Sequence, residues 1–288
     1  MRLPVFDAFH PNPDLQDCVA GAALYQEKGC DGLISIGGGS AMDTAKGIKA
    51  LLMTDIAHVR ANQLPPEGKV PHLAIPGTAG TGAETTAVAV LYEDGQKLSV
   101  DHPALLPDGV LLDGSLLDTL PEYHRKSCAM DALAQGIESW WAKKATPGSR
   151  IHAERAIRGV LDNLTAYLQG DRKAQDEMLH AAYESGVAIL TTRTTAAHAM
   201  SYQITKKLGA AHGHACMLTL PHLWAHLAAQ AEYQPMLTEL AHILGGEKPM
   251  DGAVLLKGLL AVLELDKIPM PDDATLDMLA ASVNPERL

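Results

Sequence analysis

The hydrophobic pattern of this 288-residue chain changes near Pro121 and divides the sequence into two parts. Before that point, short apolar runs alternate with segments of helical spacing, which predict helices at 14–28 and 41–53. The apolar runs predict strands at 32–36, 71–76, 87–92, 96–100 and 109–113. Glu93-Asp94-Gly95 is typical of a hairpin turn, and the run at 32–36 is typical of a buried strand. The alternation predicts a mostly parallel sheet covered by helices.

After Pro121 the strand-like runs disappear, and Ala, Leu, Met and His dominate. Helical spacing predicts helices at 125–143, 149–168, 172–190, 194–206, 213–230, 232–243, 250–262 and 273–281. We therefore predict an α/β domain over 1–120 followed by an all-α domain over 121–288. Because the chain opens with an extended piece rather than a strand–helix unit, we expect the sheet to lack strands at one edge.

The overall charge and the cysteine spacing exclude several classes of protein. A net charge of −11 argues against nonspecific binding to nucleic acid or to anionic lipid. The four cysteines lie far apart without a CxxC pair, which argues against a disulfide scaffold and suits a reducing cytoplasm. No signal-peptide pattern and no apolar run of membrane-spanning length is present, so we expect a cytoplasmic protein.

A glycine-rich turn, Gly37-Gly38-Gly39-Ser40, follows the first predicted strand and opens a helix. Glycine lets the backbone approach a phosphate closely, and a helix N-terminus presents unpaired N–H groups to it. The turn therefore predicts the phosphate site of a nucleotide. The alternative is a plain tight turn in which Ser40 and Asp43 form a capping box.

A second loop of small residues, at 76–84, also follows a strand. Its glycines and the hydroxyls of Thr78 and Thr81 are suited to a pyrophosphate or a nicotinamide ribose, although a flexible loop has the same composition. Two such loops at the carboxyl ends of strands predict the ligand crevice of an open α/β sheet.

Four polar residues of the second part are candidates for a metal site. Asp131 and Gln135 are four apart on one predicted helix, so they share a face. His198 lies on a later predicted helix, and His212 lies at the glycine-rich entry to the next one. A carboxylate, an amide oxygen and two imidazoles can hold a divalent cation and leave a position open for substrate. The alternative is that each is an ordinary core or surface residue in a chain with 13 histidines.

The glycine turn, the second loop, the helix containing MDALAQGIES and the stretch HAMSYQITKKLGAAHGHACMLTLPH together resemble the iron-containing (group III) alcohol dehydrogenase family, over about residues 5–240. The resemblance implies a Rossmann-like domain that binds NAD(P)H, followed by a helical domain, with one Fe²⁺ or Zn²⁺ held between the two. The implied cofactor residues are Gly37, Gly38, Gly39, Ser40, Asp43, Thr78, Gly80, Thr81 and Lys97.

The family holds its metal with one aspartate and three histidines. The resemblance places that aspartate at Asp131 and two of the histidines at His198 and His212. Gln135 stands at the position of the third histidine, and Tyr202 stands where the family has a further histidine near the nicotinamide. An amide oxygen is a harder and weaker donor than imidazole, so this site would bind its metal loosely, prefer another ion such as Mn²⁺, or have lost the metal.

Gln135 and the segments 192–202 and 212–215 resemble the phosphonoacetaldehyde reductase branch, which forms 2-hydroxyethylphosphonate. Arg193 can pair bidentately with a phosphonate or sulfonate, with hydrogen bonds from Thr194, Thr195 and His214. We name Tyr202 and His214 as catalytic candidates, with Tyr202 or water passing the proton. The alternative for Arg193 is contact with solvent or a helix end, and sulfoacetaldehyde is a rival substrate.

Two other classes of protein stay open. One is a different enzyme on the same scaffold, such as a dehydroquinate-synthase-like lyase, a glycerol dehydrogenase or a general aldehyde reductase. The other is an inactive nucleotide-binding remnant, because family members begin with an additional βα portion and continue beyond the point that matches 284–286. The resemblance also implies a homodimer or larger assembly.

Overall fold

A computed structural model of the chain describes residues 3–66, 70–268 and 271–281, and the chain divides into two compact units. The first unit comprises Met1–Thr78 and Gly82–Leu116, and the second comprises Ala79–Thr81 and Leu117–Leu288. The second unit therefore includes three residues of the loop after the second strand, which the predicted boundary at residue 121 leaves in the first.

The first unit is a short parallel sheet with helices and a separate hairpin. Its elements are α1 Leu15–Glu27, β1 Leu33–Gly37, α2 Gly39–Met53, α3 Ile56–Arg60, β2 His72–Pro76, β3 Val88–Glu93, β4 Gln96–Asp101 and β5 Gly109–Val110. Within the described residues, β1, β2 and β5 pair in that order and in parallel, and β3 and β4 pair antiparallel. The predicted strands and hairpin are confirmed, except that β5 has only two residues and α3 had no predicted counterpart.

The core of the first unit lies on one side of β1. Residues of α1, α2 and the hairpin form this core, and Leu33 packs against it. Successive side chains of a strand point to opposite faces, so Ser35 is buried while Ile34 and Ile36 are 56% and 62% exposed. The prediction of a fully buried strand is therefore wrong for the face that carries Ile34 and Ile36. In the described part of the chain, the helices pack on the opposite face, which carries Leu33 and Ser35.

The second unit is helical throughout its described residues. Its helices are α4 Glu122–Trp141, α5 Pro147–Leu168, α6 Arg172–Thr192, α7 Ala196–Leu208, α8 His212–Ala228, α9 Gln234–Ile243, α10 Asp251–Val262 and α11 Asp273–Ala281. Helix α4 is central, because α5, α6 and α8 all pack against it. A parallel-sheet unit followed by a helical one confirms the predicted fold class.

Local sequence explains where several of these helices begin. Thr146 and Ser149 form a capping box at the start of α5, and Pro147 occupies a position where the missing N–H is not needed. Asp171 caps α6 by accepting a hydrogen bond from the Ala174 N–H. Across the described ranges, no helix combines the length and apolar character needed to cross a bilayer.

Candidate functional site

Four potential metal ligands converge in the second unit: Asp131 on α4, His198 on α7, and His212 and Cys216 on α8. One donor atom from each lies within 4.8 Å of the others. Asp131 Oδ1 is 3.2 Å from His198 Nε2 and 3.9 Å from His212 Nε2, and Cys216 Sγ is 4.0 Å from His212 Nε2. Tetrahedral zinc sites place nitrogen and sulfur donors roughly 3.3–3.6 Å apart. A modest contraction therefore suits the cluster to a divalent ion.

Glu138 orients the His198 ring. Its fully buried carboxylate accepts a hydrogen bond from His198 Nδ1, and further bonds from the Thr195 N–H, the Thr195 hydroxyl and the Ala197 N–H. His198 Nδ1 therefore carries a proton, and Nε2 faces Asp131. A carboxylate behind a ligating imidazole is a recurring feature of metal sites. Sequence reasoning missed Glu138, although it lies two helical turns after Asp131 on the same face.

The second imidazole is held by Ser201. The Ser201 hydroxyl donates to the His198 carbonyl at 2.8 Å and accepts a hydrogen bond from His212 Nδ1 at 3.2 Å. His212 Nε2 is consequently directed at Asp131. Tyr202 stacks on the His212 ring, with centroids 5.7 Å apart and planes 21° apart. The His212 side chain is 37% exposed whereas Asp131 is 3% exposed, so the cluster is accessible from the His212 side.

Gly213 allows α8 to approach α4. A Cβ atom at this position would lie 2.0 Å from the Ser127 carbonyl oxygen and 2.7 Å from Asp131 Cβ. Any side chain here would therefore push the start of α8 away from α4. The close approach places His212, the first residue of α8, beside Asp131.

The protonation of the cluster is strongly coupled. Burial favours a higher pKa for the Asp131 carboxyl, but His212 and His198 outweigh burial and lower it. Burial also favours a higher pKa for the Cys216 thiol. The neighbouring His198 and His212 outweigh burial and lower this pKa to about 7. Burial disfavours a charged His212, yet Cys216 and Asp131 raise its pKa to about 9. A bound cation would displace the protons of the imidazole and thiol donors, because metal ligands must be deprotonated.

The amide oxygen of Gln135, which was predicted to bind the metal, faces away from the cluster. The amide nitrogen of Gln135 donates to the Thr81 carbonyl at 3.2 Å and to Asp131 Oδ1 at 3.4 Å. Its amide oxygen accepts a hydrogen bond from the Ser185 hydroxyl at 2.8 Å. Thr81 and Asp131 both offer acceptors, so the nitrogen must face them and the oxygen must face away.

His214, a predicted catalytic residue, lies apart from the cluster. Its Nε2 donates to the Leu265 carbonyl at 2.6 Å, and its Nδ1 pairs with the Tyr123 hydroxyl at 3.1 Å. The ring is buried, which lowers its pKa. Both ring nitrogens are occupied in packing α8 against its neighbours, so this arrangement leaves His214 no atom for proton transfer.

The predicted substrate residues lie in the connection between α6 and α7. Arg193 ends α6 with φ 64° and ψ 173°, a region that is essentially restricted to glycine. The Thr195 hydroxyl donates to Glu138 and accepts a hydrogen bond from Trp141 Nε1 at 3.0 Å. Thr195 therefore supports the residue behind His198, while Thr194 and Arg193 are partly buried.

The glycine turn of the first unit begins α2 earlier than predicted. Gly38 is the N-cap and makes no side-chain capping bond, and Gly37 has φ 143°. The alternative of a Ser40–Asp43 capping box is therefore wrong, because the helix already starts at Gly39. Ser40 Oγ instead accepts a hydrogen bond from the Asn12 N–H at 3.1 Å.

The start of the second loop packs directly against this turn. The Gly77 N–H donates to the Gly37 carbonyl at 2.7 Å, and a Cβ atom at Gly38 would lie 3.0 Å from the Thr78 side chain. The carboxyl ends of β1 and β2 thus meet beside an uncapped helix N-terminus. That arrangement can accept a phosphate, because Gly38 makes no side-chain capping bond and a helix leaves its first N–H groups unpaired.

Two more predicted cofactor residues, Asp43 and Lys97, are close enough to interact. Burial raises the pKa of the Asp43 carboxyl to about 6, although Lys46, the Val90 N–H and Lys97 act in the opposite direction.

The last two predicted cofactor residues, Gly80 and Thr81, belong to the second unit. A Cβ atom at Gly80 would lie 2.8 Å from Cys128 Cβ on α4, next to the Thr81 carbonyl that binds Gln135.

Models of one protein family match both parts of the chain. The model described as iron-containing alcohol dehydrogenase matches residues 1–114, and the C-terminal model of the Fe-containing alcohol dehydrogenase family matches residues 126–267. Together they cover both the parallel-sheet unit and the helices that carry the cluster.

Individual relatives agree with these models. Phosphonoacetaldehyde reductase of Streptomyces viridochromogenes is 36% identical over 74% of this chain and 58% of its own length. Probable alcohol dehydrogenase EutG of Escherichia coli is 35% identical over 73% of this chain and 54% of its own. The crystal structure of sulfoacetaldehyde reductase from Bifidobacterium kashiwanohense in complex with NAD⁺ has a TM-score of 0.89 and 27% identity, over 99% of this chain and 78% of that one. The chain thus spans somewhat more than half the length of these two curated relatives.

Proposed function

Because the chain belongs to the iron-containing alcohol dehydrogenase family, we propose that it is a metal-dependent oxidoreductase that uses NAD(P)H to reduce a small anionic aldehyde. The substrate that we propose first is phosphonoacetaldehyde, which would be reduced to 2-hydroxyethylphosphonate. The observation that carries the proposal is the convergence of Asp131, His198 and His212 on one point beside Tyr202.

Asp131, His198 and His212 would hold a divalent ion, either Fe²⁺ or Zn²⁺, with Mn²⁺ as a further candidate. When bound, the metal supplies Lewis acidity to a carbonyl oxygen and the nicotinamide supplies a hydride. The protein contributes position. Glu138 and Ser201 hold the two imidazoles with their Nε2 atoms facing Asp131, so the donors need little rearrangement.

Nucleotide binding is proposed for the glycine turn of the first unit. The N–H groups at the start of α2 would bind the pyrophosphate, since they carry the partial positive charge of a helix N-terminus. Lys97, close to Asp43, would interact with the ribose. Comparison of NADH with NADPH in the assay distinguishes a preference for a free 2′-hydroxyl from a preference for a 2′-phosphate.

Proton delivery is proposed for Tyr202. Its ring stacks on the ring of His212 at the accessible side of the cluster. Tyr202 would donate its proton to the oxygen that becomes the alcohol, either directly or through a water molecule.

Recognition of the anionic group is proposed for Arg193. A guanidinium pairs bidentately with phosphonate or sulfonate oxygens, and such charge-assisted bonds are stronger than neutral ones. The positive φ of Arg193 supports a functional role, because strained backbone at a non-glycine residue is typical of ligand sites. The structural similarity to a sulfoacetaldehyde reductase makes sulfoacetaldehyde the second candidate.

The test is reduction by the purified full chain after loading with Fe²⁺, Zn²⁺ or Mn²⁺. Phosphonoacetaldehyde, sulfoacetaldehyde and propionaldehyde are compared with NADH and with NADPH as reductant. We expect a loss of nicotinamide absorbance that depends on metal and aldehyde and is fastest with an anionic aldehyde. Folded, metal-loaded protein without any aldehyde-dependent loss would instead support an inactive nucleotide-binding protein.

The substrate class is tested separately with Arg193→Ala. We expect kcat/KM for the anionic aldehyde to fall about 10–100-fold, the range of a lost charged hydrogen bond, with a much smaller change for propionaldehyde. Arg158→Ala is the control, since Arg158 is an exposed arginine paired with Glu154 on α5. Equal losses for both aldehydes in Arg193→Ala would remove Arg193 from the substrate site.

A further inference from the structure

We propose that Cys216, rather than Gln135, is the fourth protein ligand of the metal, so that the ion is held by one carboxylate, two imidazoles and one thiolate. This inference rests on the proposed metal-dependent function, because it names the donor set of the same site. It also departs from the four-residue set predicted from the sequence, in which Gln135 completes the group.

The position of Cys216 follows from the geometry of α8. His212 and Cys216 are four apart and therefore lie one above the other on the same helical face. That face is pressed against α4 at Gly213, which places both side chains toward Asp131. Cys216 is fully buried, and its Sγ lies 4.0 Å from His212 Nε2. A contraction of about half an ångström gives the sulfur–nitrogen separation of a tetrahedral site.

Gln135 is engaged in other bonds. To place its oxygen at the cluster, the amide would have to rotate, break the bond from Ser185 and turn an oxygen toward the Thr81 carbonyl. As it stands, the amide nitrogen donates to Asp131 Oδ1. Gln135 is therefore a positioning residue that restrains the Asp131 carboxylate.

A thiolate changes the chemistry of the site in two ways. It adds a second negative charge, so a divalent ion bound by Asp131 and Cys216 carries no net charge with its protein donors. It is also a soft donor, and soft donors favour Zn²⁺ over hard ions such as Mn²⁺ and Mg²⁺. The side on which His212 is exposed would give a substrate access to the ion.

The experiment uses the full chain reconstituted with Co²⁺, because thiolate coordination to cobalt gives an intense charge-transfer absorption in the near ultraviolet. We expect that band in the wild type and in Gln135→Ala, and its loss in Cys216→Ser. Cys216→Ser should also bind Co²⁺ at least tenfold more weakly in a chelator competition. Cys30→Ser, which alters a partly buried cysteine of the first unit, is the control and should keep the band.

The two proposals can fail separately. Wild-type protein that shows the visible bands of bound Co²⁺ without the thiolate band would overturn ligation by Cys216 and leave the metal-dependent function intact. Folded protein that binds no Co²⁺ would overturn both.

A measurement on the wild type avoids the risk that Cys216→Ser does not fold. Alkylation of each cysteine is followed by mass spectrometry with and without Zn²⁺, at a urea concentration just below the unfolding transition so that the buried Cys216 reacts through local opening. We expect Zn²⁺ to protect Cys216 at least tenfold and to leave Cys30 unchanged. Equal reactivity of Cys216 in both states contradicts the proposal.

Discussion

Glu138 acts on the cluster only through His198. It accepts four hydrogen bonds while fully buried, and one of them sets which nitrogen of the imidazole faces Asp131. Glu138→Gln keeps the shape but removes the charge that stabilises this ring orientation. We expect metal affinity to fall 10–100-fold, the usual effect of losing such a partner, as measured by chelator competition. Glu154→Gln, at a partly exposed position on α5, should leave affinity unchanged. Unchanged affinity in Glu138→Gln would contradict the role.

Glu84 predicts a pH dependence of stability in the first unit. It is buried, and its Oε1 makes no hydrogen bond within the described part of the chain. Burial raises the pKa of this carboxyl to about 7, although its own N–H and Lys46 act in the opposite direction. The folded state therefore holds a proton between the usual pKa of 4.5 and about 7 that the unfolded state has released.

It follows that Glu84 lowers the stability of the fold as pH rises through this window. Relative to Glu84→Gln, we expect the wild type to lose on the order of 2–3 kcal/mol of unfolding free energy between pH 4.5 and pH 8. Urea unfolding of both proteins across this range measures the difference. Parallel pH profiles for the two proteins would show that Glu84 does not titrate in this way.

The candidate site was only partly predictable at the level of residue types. Asp131, His198 and His212 have side chains that ordinarily bind metals, and the structure brings their donor atoms together. Cys216 follows His212 by one helical turn, a spacing that could have identified it as a candidate ligand. A single cysteine without a CxxC partner, however, is a weak metal-binding signal in a sequence. Glu138 lies on the same face of α4 as Asp131, but only its hydrogen bonds with Thr195 and His198 in the structure reveal its role.

At the scale of elements, the contact between α4 and α8 depends on Gly213. Gly213→Ala would place a Cβ atom 2.0 Å from the Ser127 carbonyl, so the start of α8 must shift. We expect a loss of unfolding free energy of about 3 kcal/mol or more and a clear loss of metal affinity, since His212 moves with the helix. Thermal unfolding and metal titration are the measurements.

Gly258 provides the matched control for this substitution. It lies in α10, is exposed, and a Cβ atom there would meet nothing within 4 Å. Gly258→Ala should raise stability by about 0.5–1 kcal/mol through helix propensity alone. If Gly213→Ala behaved like Gly258→Ala, close packing of the two helices would not be what positions His212.

Helical spacing predicted the described helices of the second unit within a few residues. The errors occur where a neighbouring element decides the outcome. β1 carries Ile34 and Ile36 on one face and Leu33 and Ser35 on the other, yet Ile34 and Ile36 are exposed because the core forms only on the side of Leu33. β5 ends at Val110 because its pairing with β2 stops there.

For the whole molecule, the proposed metal is expected to stabilise the second unit selectively. An ion bound to the folded state alone stabilises it by an amount that rises with metal concentration over its dissociation constant. After treatment with a chelator, we expect faster hydrogen exchange in α4, α7 and α8 and unchanged exchange in β1, β2 and α2. Equal acceleration in both units, or none in α4, α7 and α8, would contradict a metal site at this cluster.

The proposed donors are distributed unevenly along the chain, and this has a consequence for biosynthesis. Asp131 and His198 are 67 positions apart, whereas His198, His212 and Cys216 belong to two consecutive helices. A ribosome that has not yet translated α7 has therefore exposed only one of the four donors. Incorporation of the proposed ion at this cluster would therefore follow the emergence of α8 from the ribosome.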